Sequence, residues 1–267
     1  MKLFRQLLLV SFAITCLPAF ACPEHNSKGL DSKGHHGKSY HCQGGIFQNS
    51  TIGALQEGYL NGNMSLQRLS RKGDFGLGTL NELNGKLIAL DGQFYRINKD
   101  GVTSPLESDA KTPFATVIHF SPDKTLKLPE HLDYEDLQVF LDKEVGANNQ
   151  MQAIRIDGTF SNLRLQSVSK QDYPYRKLTK INKTVTGTDD HKAEGSLIGY
   201  RFPDYMGNLN VAGYSFYFID NAREIGGQVL GLTSVQGTIS VQNTGRFKML
   251  LPGDDDFNQL DLNAAKK

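Results

Sequence analysis

The chain has 267 residues, of which 39% are hydrophobic, and its 29 Lys and Arg residues nearly balance 28 Asp and Glu residues, giving a formal net charge of +1. This balance gives no support for a nucleic-acid partner or an anionic membrane surface, because both attract proteins with a clear basic excess. The length is sufficient for a sizeable core, in one large domain or two small ones.

The first 21 residues have the pattern of a secretory signal peptide. A basic start precedes an apolar run over residues 7–17, and the Ala-Phe-Ala sequence of residues 19–21 is a small-x-small cleavage signal. The apolar run is too short for a transmembrane span. We therefore expect cleavage near Ala21 and a secreted or periplasmic mature protein. Lipidation of Cys22 is an alternative, although Ala stands where a lipobox normally has Leu.

Residues 22–45 are rich in Gly, Ser, Lys and His and almost free of apolar side chains, so we expect a flexible leader. After signal cleavage Cys22 and Cys42 are the two remaining cysteines, and in an oxidising compartment they are most simply a disulfide. The histidines between them are weak candidates for a zinc or copper site: His25, His35, His36 and His41. Their spacing matches no defined metal site, and a solvated loop is the alternative.

Residues 46–148 form the predicted N-terminal half, which is rich in strands. Residues 50–57 and 66–69 are typical of short helices, and residues 133–145 carry apolar side chains at helical spacing. The glycines of residues 73–79 lack dinucleotide-binding spacing, and we expect them in tight packing turns. An antiparallel meander is predicted by three turn signals between short apolar runs: Asn84-Gly85, Asp91-Gly92 and Asp100-Gly101.

Residues 149–267 form the predicted C-terminal half, and strands dominate here too. Alternating apolar residues predict strands around Gly158 and over residues 195–202, and residues 236–237 are expected to form the turn of a late hairpin. The predicted fold class is therefore α+β, with two consecutive mixed halves in which strands outnumber helices.

The most informative stretch is a hairpin predicted over residues 211–230. An aromatic-rich strand is followed by a polar turn, and two glycines lead into a second, short apolar strand. Because side chains alternate along a strand, Ser215 and Tyr217 point to the same face, and the returning strand brings Gln228 beside them. Three polar side chains are therefore expected to converge on one spot.

From residue 46 to residue 262 the sequence resembles the acetolactate decarboxylases in a series of framework motifs. The motifs are Gly73-Asp-Phe-Gly-Leu-Gly-Thr79, Asn84-Gly85 with Leu87-Ile88, Lys111-Thr-Pro-Phe-Ala115, Gly158-Thr-Phe160, Gly195-Ser-Leu-Ile-Gly199, Asn210-Val-Ala-Gly213, Gly226-Gly227 and Asp255-Asp-Asp-Phe257. The resemblance implies the family's strand-rich fold, with the site between the two halves. It also implies a family of zinc-dependent enzymes that convert 2-acetolactate to acetoin and CO2.

In the family pattern, three histidines that hold zinc stand where this chain has Ser215, Tyr217 and Gln228. The resemblance also puts Lys86 at a glutamate position and Tyr173 at an arginine position that line the family site. These replacements are poor zinc ligands, because a hydroxyl group must lose a proton of high pKa and an amide offers only a neutral oxygen. We therefore predict no catalytic zinc at this site, no other cofactor and no assignable catalytic residue.

The preferred hypothesis is a secreted, catalytically inactive pseudoenzyme that binds a small carboxylate or polar ligand, or a partner, through these five residues. Homodimers are common among proteins that resemble this one. A structural alternative is that the five side chains simply fill the former metal site as a hydrogen-bonded core.

Two enzymatic alternatives stay open. The first is an alpha-acetolactate decarboxylase with zinc ligands outside this alignment. The second is metal-free chemistry in which Lys86 forms a Schiff base with a keto acid, which requires a desolvated lysine. A lysine beside a turn is more often solvated, and the sequence favours that interpretation of Lys86.

Overall fold

The structure is a computed structural model that describes residues 44–146, 149–187 and 192–262. The predicted signal peptide, both cysteines of the predicted disulfide (Cys22 and Cys42) and the four leader histidines lie outside the described residues. Within the described ranges, no helix is both long and apolar enough to cross a membrane.

Strands dominate the described chain, and the α+β class predicted from the sequence is confirmed. In chain order the strands are β1 (Ile46–Asn49), β2 (Met64–Ser65), β3 (Phe75–Thr79), β4 (Lys86–Leu90), β5 (Gln93–Ile97), β6 (Thr103–Pro105), β7 (Lys111–Thr112), β8 (Phe114–Ile118), β9 (Lys124–Lys127), β10 (Met151–Ser161), β11 (Arg164–Val168), β12 (Lys183–Gly187), β13 (Lys192–Phe202), β14 (Gly213–Asp220), β15 (Gly226–Gly231), β16 (Ser234–Thr244) and β17 (Phe247–Leu250).

The strands form two large sheets and one small pair. The first sheet has the order β17-β1-β8-β3-β4-β5-β6, the second has the order β12-β11-β15-β14-β13-β10-β16-β9, and β2 pairs with β7. The pairing of β1 with β17 is parallel, whereas β9 pairs antiparallel with β16. Each large sheet therefore takes one edge strand from the other half of the sequence.

The helices are short, and the three helices predicted from the sequence are confirmed. The three are α1 (Ile52–Gln56), α2 (Leu66–Ser70) and α3 (Tyr134–Val145), and a further short helix, α4 (Asp255–Asn258), was not predicted. The Thr51 hydroxyl caps α1, and the Asp133 carboxylate caps α3 by accepting from two backbone N–H groups of its first turn. α3 ends at Gly146 in the left-handed conformation, with a φ of 68°.

The predicted meander is also confirmed. β3, β4, β5 and β6 pair antiparallel in sequence order, and the connections contain the three expected turn dipeptides. Gly85 has a φ of 107°, a conformation that favours glycine, and it returns the chain directly into Lys86 at the start of β4.

Two glycine predictions are wrong. Residues 236–237 do not form a turn, because β16 continues through them and Gly237 lies opposite Gly158 of β10. A Cβ atom on Gly237 would lie 2.2 Å from the Asp157 carbonyl oxygen, so the glycine permits a close approach of two strands. Gly76 likewise lies inside β3, where a Cβ atom would meet the Thr116 carbonyl oxygen at 2.2 Å.

The two large sheets pack face to face, and this arrangement positions the site. Phe75 and Ile88 of the first sheet share one buried cluster with Ile198 and Phe202 of the second sheet. The opposite face of the second sheet is covered by α3, whose Leu137 and Leu141 are fully buried among strand residues such as Ile154 and Ile156. Because side chains alternate along β10 and β13, these strands contribute residues to two cores, one on each face of the second sheet.

Candidate functional site

The β14–β15 hairpin has the geometry predicted from the sequence. Tyr217 of β14 lies directly opposite Gln228 of β15. Ser215 precedes Tyr217 by two residues on the same strand, and all three side chains line one cavity. The predicted convergence of three polar side chains is therefore confirmed.

Lys86 joins these residues from the facing sheet. Its Nζ atom donates a hydrogen bond to Oε1 of Gln228 at 2.9 Å and a longer one to the Tyr217 hydroxyl at 3.4 Å. The same Nζ atom lies 4.9 Å from the centroid of the Tyr217 ring, a favourable position for a cation over an aromatic face. The lysine side chain thus bridges the two sheets at the base of the site.

Burial determines the electrostatics of this cluster. Lys86 is only 6% exposed, and the loss of solvation lowers the pKa of its ammonium group to about 8. Burial also raises the pKa of the Tyr217 phenol, which therefore stays protonated near neutral pH. Among the described residues no carboxylate forms an ion pair with Lys86.

The cavity that holds these groups has a volume of about 560 Å³. Lys86, Ser215, Tyr217 and Gln228 supply a polar region, and the remaining wall is largely hydrocarbon. Its apolar side chains include Ile52, Leu55, Leu77, Leu83, Phe114 and Leu178. A pocket with apolar walls and a few convergent polar groups is the usual form of a small-molecule site.

The cavity also has polar residues that sequence reasoning missed. Asn210 Nδ2 donates to Thr116 Oγ1 at 2.9 Å and to Gln48 Oε1 at 2.7 Å. The Tyr200 hydroxyl donates to the Phe75 carbonyl oxygen at 3.0 Å. Asn210 opens one of the framework motifs and Tyr200 lies in a predicted strand, but only the pairing of distant strands brings them to the same wall.

Tyr173 does not join the cluster. Its side chain is 81% exposed, and it lines a separate surface depression together with Asp172 and Arg176. The segment after β11 turns outward, and the Tyr173 ring packs edge to face on Tyr175 with a centroid distance of 5.6 Å. The expectation that Tyr173 lines the same site as Lys86 is therefore wrong.

The described residues contain no alternative metal centre of the usual kind. Within the described ranges, no three His, Cys, Asp or Glu side chains lie close enough together to hold a metal ion. The leader histidines His25, His35, His36 and His41 are outside these ranges, so their proposed role as weak metal candidates stays a prediction.

Comparison with known proteins identifies the scaffold. Residues 46–264 match the family model for alpha-acetolactate decarboxylase. The alpha-acetolactate decarboxylase of Methylococcus capsulatus is 40% identical over 217 residues, which cover 81% of this chain and 84% of the relative. The Bacillus subtilis relative of the same name is 32% identical, with 81% and 85% coverage.

Solved structures agree with the sequence comparison. The crystal structure of alpha-acetolactate decarboxylase from Bacillus subtilis strain 168 has a TM-score of 0.77 and 31% identity, and the match covers 82% of this chain and 93% of that one. A Staphylococcus aureus protein described as of unknown function and similar to alpha-acetolactate decarboxylase gives a TM-score of 0.73 at 27% identity, covering 83% and 93%. The chain therefore belongs to the alpha-acetolactate decarboxylase family.

Proposed function

We propose that this chain is a secreted, metal-free member of the family that binds a small ligand and does not catalyse the zinc-dependent decarboxylation. The observation that carries the proposal is the position of the Lys86 ammonium group. It lies 2.9 Å from Gln228 Oε1, among the three residues that the resemblance aligns with zinc-binding histidines.

The donor set of this cluster does not fit a zinc ion. Protein zinc sites use thiolate, imidazole and carboxylate ligands. Here the available groups are an amide, a serine hydroxyl and a phenol whose pKa is raised by burial. The Lys86 ammonium group would add a like charge next to the metal, and no carboxylate among the described residues compensates for it.

The cavity is suited to a small ligand with a hydrogen-bond-accepting end. Lys86 and the Tyr217 hydroxyl can donate to a carboxylate or carbonyl oxygen, and the aliphatic wall can bury a hydrocarbon group. A volume of about 560 Å³ lies in the range of small-molecule sites. This supports binding over the structural alternative, in which the side chains themselves would fill the space.

The second candidate function is the family reaction, conversion of 2-acetolactate to acetoin and CO2. It is favoured by relatives that bear the name alpha-acetolactate decarboxylase and match four fifths of this chain. It requires metal ligands other than Ser215, Tyr217 and Gln228.

Elemental analysis and an acetoin assay separate the two candidates. The full chain is compared with a variant in which His25, His35, His36 and His41 are all changed to Ala, so that metal bound by the leader is not counted. We expect this variant to hold no stoichiometric zinc and to produce no acetoin above the spontaneous rate. We expect zinc to bind when Ser215→His, Tyr217→His and Gln228→His are combined with Lys86→Glu.

Stoichiometric zinc in the leader variant, with acetoin formation that stops on chelation, would establish the second candidate instead. Ligand binding is tested separately by thermal shift with pyruvate and 4-methyl-2-oxopentanoate, for which we expect stabilisation of the natural protein. N-terminal sequencing of exported protein tests the predicted cleavage near Ala21.

A further inference from the structure

Three properties set Lys86 apart from a solvated surface lysine. Its side chain is almost fully buried, its amine faces an apolar cavity, and no described carboxylate pairs with it. Lysine amines act as nucleophiles when desolvation leaves them partly unprotonated near neutral pH. The lowered pKa of Lys86 is consistent with this state.

We propose that Lys86 is an imine-forming residue that captures a small 2-oxo acid with an aliphatic side chain inside the cavity. The proposal deepens the proposed function and rests on it, because it takes the cavity to be a metal-free ligand site. The reactive atom is Lys86 Nζ, and the compound that reacts with it is a 2-oxo acid.

The neighbours of Lys86 can assist the reaction without any further reagent. The unprotonated Nζ attacks the carbonyl carbon, and the carbonyl oxygen takes a proton from the Tyr217 hydroxyl while Tyr217 receives one from the nitrogen. Tyr217 lies 3.4 Å from Nζ, within reach of this exchange. The resulting carbinolamine loses its hydroxyl group as water and forms the C=N bond. One amine and one carbonyl compound thus give one imine and one water, with no change of oxidation state.

Gln228 has a positioning role in this scheme. Its Oε1 atom accepts a hydrogen bond from Nζ at 2.9 Å and thereby holds the amine beside the Tyr217 hydroxyl. A neutral amide oxygen can hold the amine without stabilising its charged form as strongly as a carboxylate would. The nitrogen therefore stays available for attack.

The lining of the cavity determines the class of ligand. Hydroxyl groups of Ser215 and Tyr217 can donate to a carboxylate, and Lys183 adds a positive charge to the lining. Glu57, an acidic residue of the same wall, is paired with Lys177 and so is less able to repel an anion. The hydrocarbon wall formed by residues such as Leu55, Leu77 and Leu83 suits an aliphatic side chain.

Reductive trapping tests the proposal on the full-length protein. The protein is incubated with 4-methyl-2-oxopentanoate and sodium cyanoborohydride, and intact mass and peptide mapping are recorded. We expect one adduct per chain, with the mass of one ligand minus one water plus two hydrogens, located on Lys86. Lys86→Met should lose this adduct, whereas Lys99→Met, which removes an exposed lysine that does not line the cavity, should keep it.

The outcomes distinguish this proposal from the function on which it rests. Stabilisation by the oxo acid without an adduct on Lys86 would overturn the imine and leave ligand binding intact. Neither stabilisation nor adduct would overturn both. Labelling spread over many lysines, equal in the natural protein and after heat unfolding, would also overturn the imine. Peptide mapping of the natural protein keeps the test decisive even if Lys86→Met folds poorly.

Discussion

Two poorly exposed basic residues of this molecule have opposite surroundings. Arg155 of β10 donates from Nε to both carboxylate oxygens of Asp157, at 2.9 and 2.8 Å, and from Nη1 to Asp91 at 2.7 Å. Burial alone would lower the pKa of Arg155, but the hydrogen bonds and charges of these two carboxylates raise it. Among the described residues, Lys86 Nζ bonds to the Gln228 amide oxygen and the Tyr217 phenol and to no carboxylate, and burial lowers its pKa.

The contrast distinguishes a structural cation, Arg155, from a chemically available one, Lys86. A cation held by two carboxylates keeps its proton and stabilises the fold through charge-assisted hydrogen bonds. A buried amine without such a partner destabilises the fold when it is charged, and it becomes a base and nucleophile when it is neutral. Burial by itself therefore does not assign a role to a basic residue; its partners do.

The largest expected effect is the loss of the structural cation. Arg155→Met removes the arginine partner of Asp157 and Asp91, although Ser196 still donates to Asp157. Because the two carboxylates are 47% and 62% exposed, we expect a loss of about 2 kcal/mol of unfolding free energy, less than for a fully buried pair. Urea denaturation at pH 7 measures this loss. Lys99→Met is the matched control, because its pair with Asp100 is largely exposed and should contribute less than about 0.5 kcal/mol. Equal losses in the two variants would contradict the comparison.

Removal of the Lys86 ammonium group should raise the unfolding free energy, whereas removal of the Arg155 guanidinium should lower it. Lys86 has a pKa of about 8 in the folded protein and an ordinary value of 10.5. Below pH 8 the buried charge therefore lowers the unfolding free energy. This destabilisation is lost as pH rises from 8 to 10.5. Lys86→Met should raise the unfolding free energy by about 1–3 kcal/mol at pH 6.5, and the gain should shrink by pH 9.5. Urea denaturation of both proteins at these two pH values measures the effect. A gain that does not change with pH would show that it comes from packing alone.

Tyr217→Phe should give the smallest change in stability, and it tests whether the Tyr217 hydroxyl transfers protons during imine formation. The variant loses a long hydrogen bond and keeps the aromatic face beside Nζ, so we expect a change within about 1 kcal/mol. Adduct formation on Lys86 should slow roughly tenfold or more, because the proton relay is removed. Time-resolved mass spectrometry under the trapping conditions measures the rate. An unchanged rate would remove Tyr217 from the mechanism while leaving Lys86 in it.

Local patterns were sufficient for much of the fold and for part of the site. Strand alternation and the two glycines before Gln228 were enough to predict that Ser215, Tyr217 and Gln228 share one face. The Asn84-Gly85 turn located the start of β4, and the resemblance pointed to Lys86. These features depend on neighbours in the sequence, whose geometry the chain itself fixes.

The remaining features depend on contacts between distant segments. The burial of Lys86 requires the second sheet to cover β4, so the turn signal beside it wrongly suggested a solvated lysine. The resemblance put Tyr173 at a family site position, but its side chain is 81% exposed and does not line the cavity. Gly237 looked like a turn residue because the approach of Gly158 from another strand is invisible in a local pattern. Aligned position and local propensity therefore predicted the framework better than the cavity.

The parallel pairing of β1 with β17 has a consequence for biogenesis. It joins strands about 200 residues apart, so β1, whose four residues are all buried, lacks its second neighbour until β17 is available. An unpaired strand is a template for wrong partners, and β17, which forms the edge of the sheet and alternates partly buried with exposed residues, shields the buried β1 from them. We expect a chain truncated before residue 247 to be prone to aggregation even though every residue of the cavity is present.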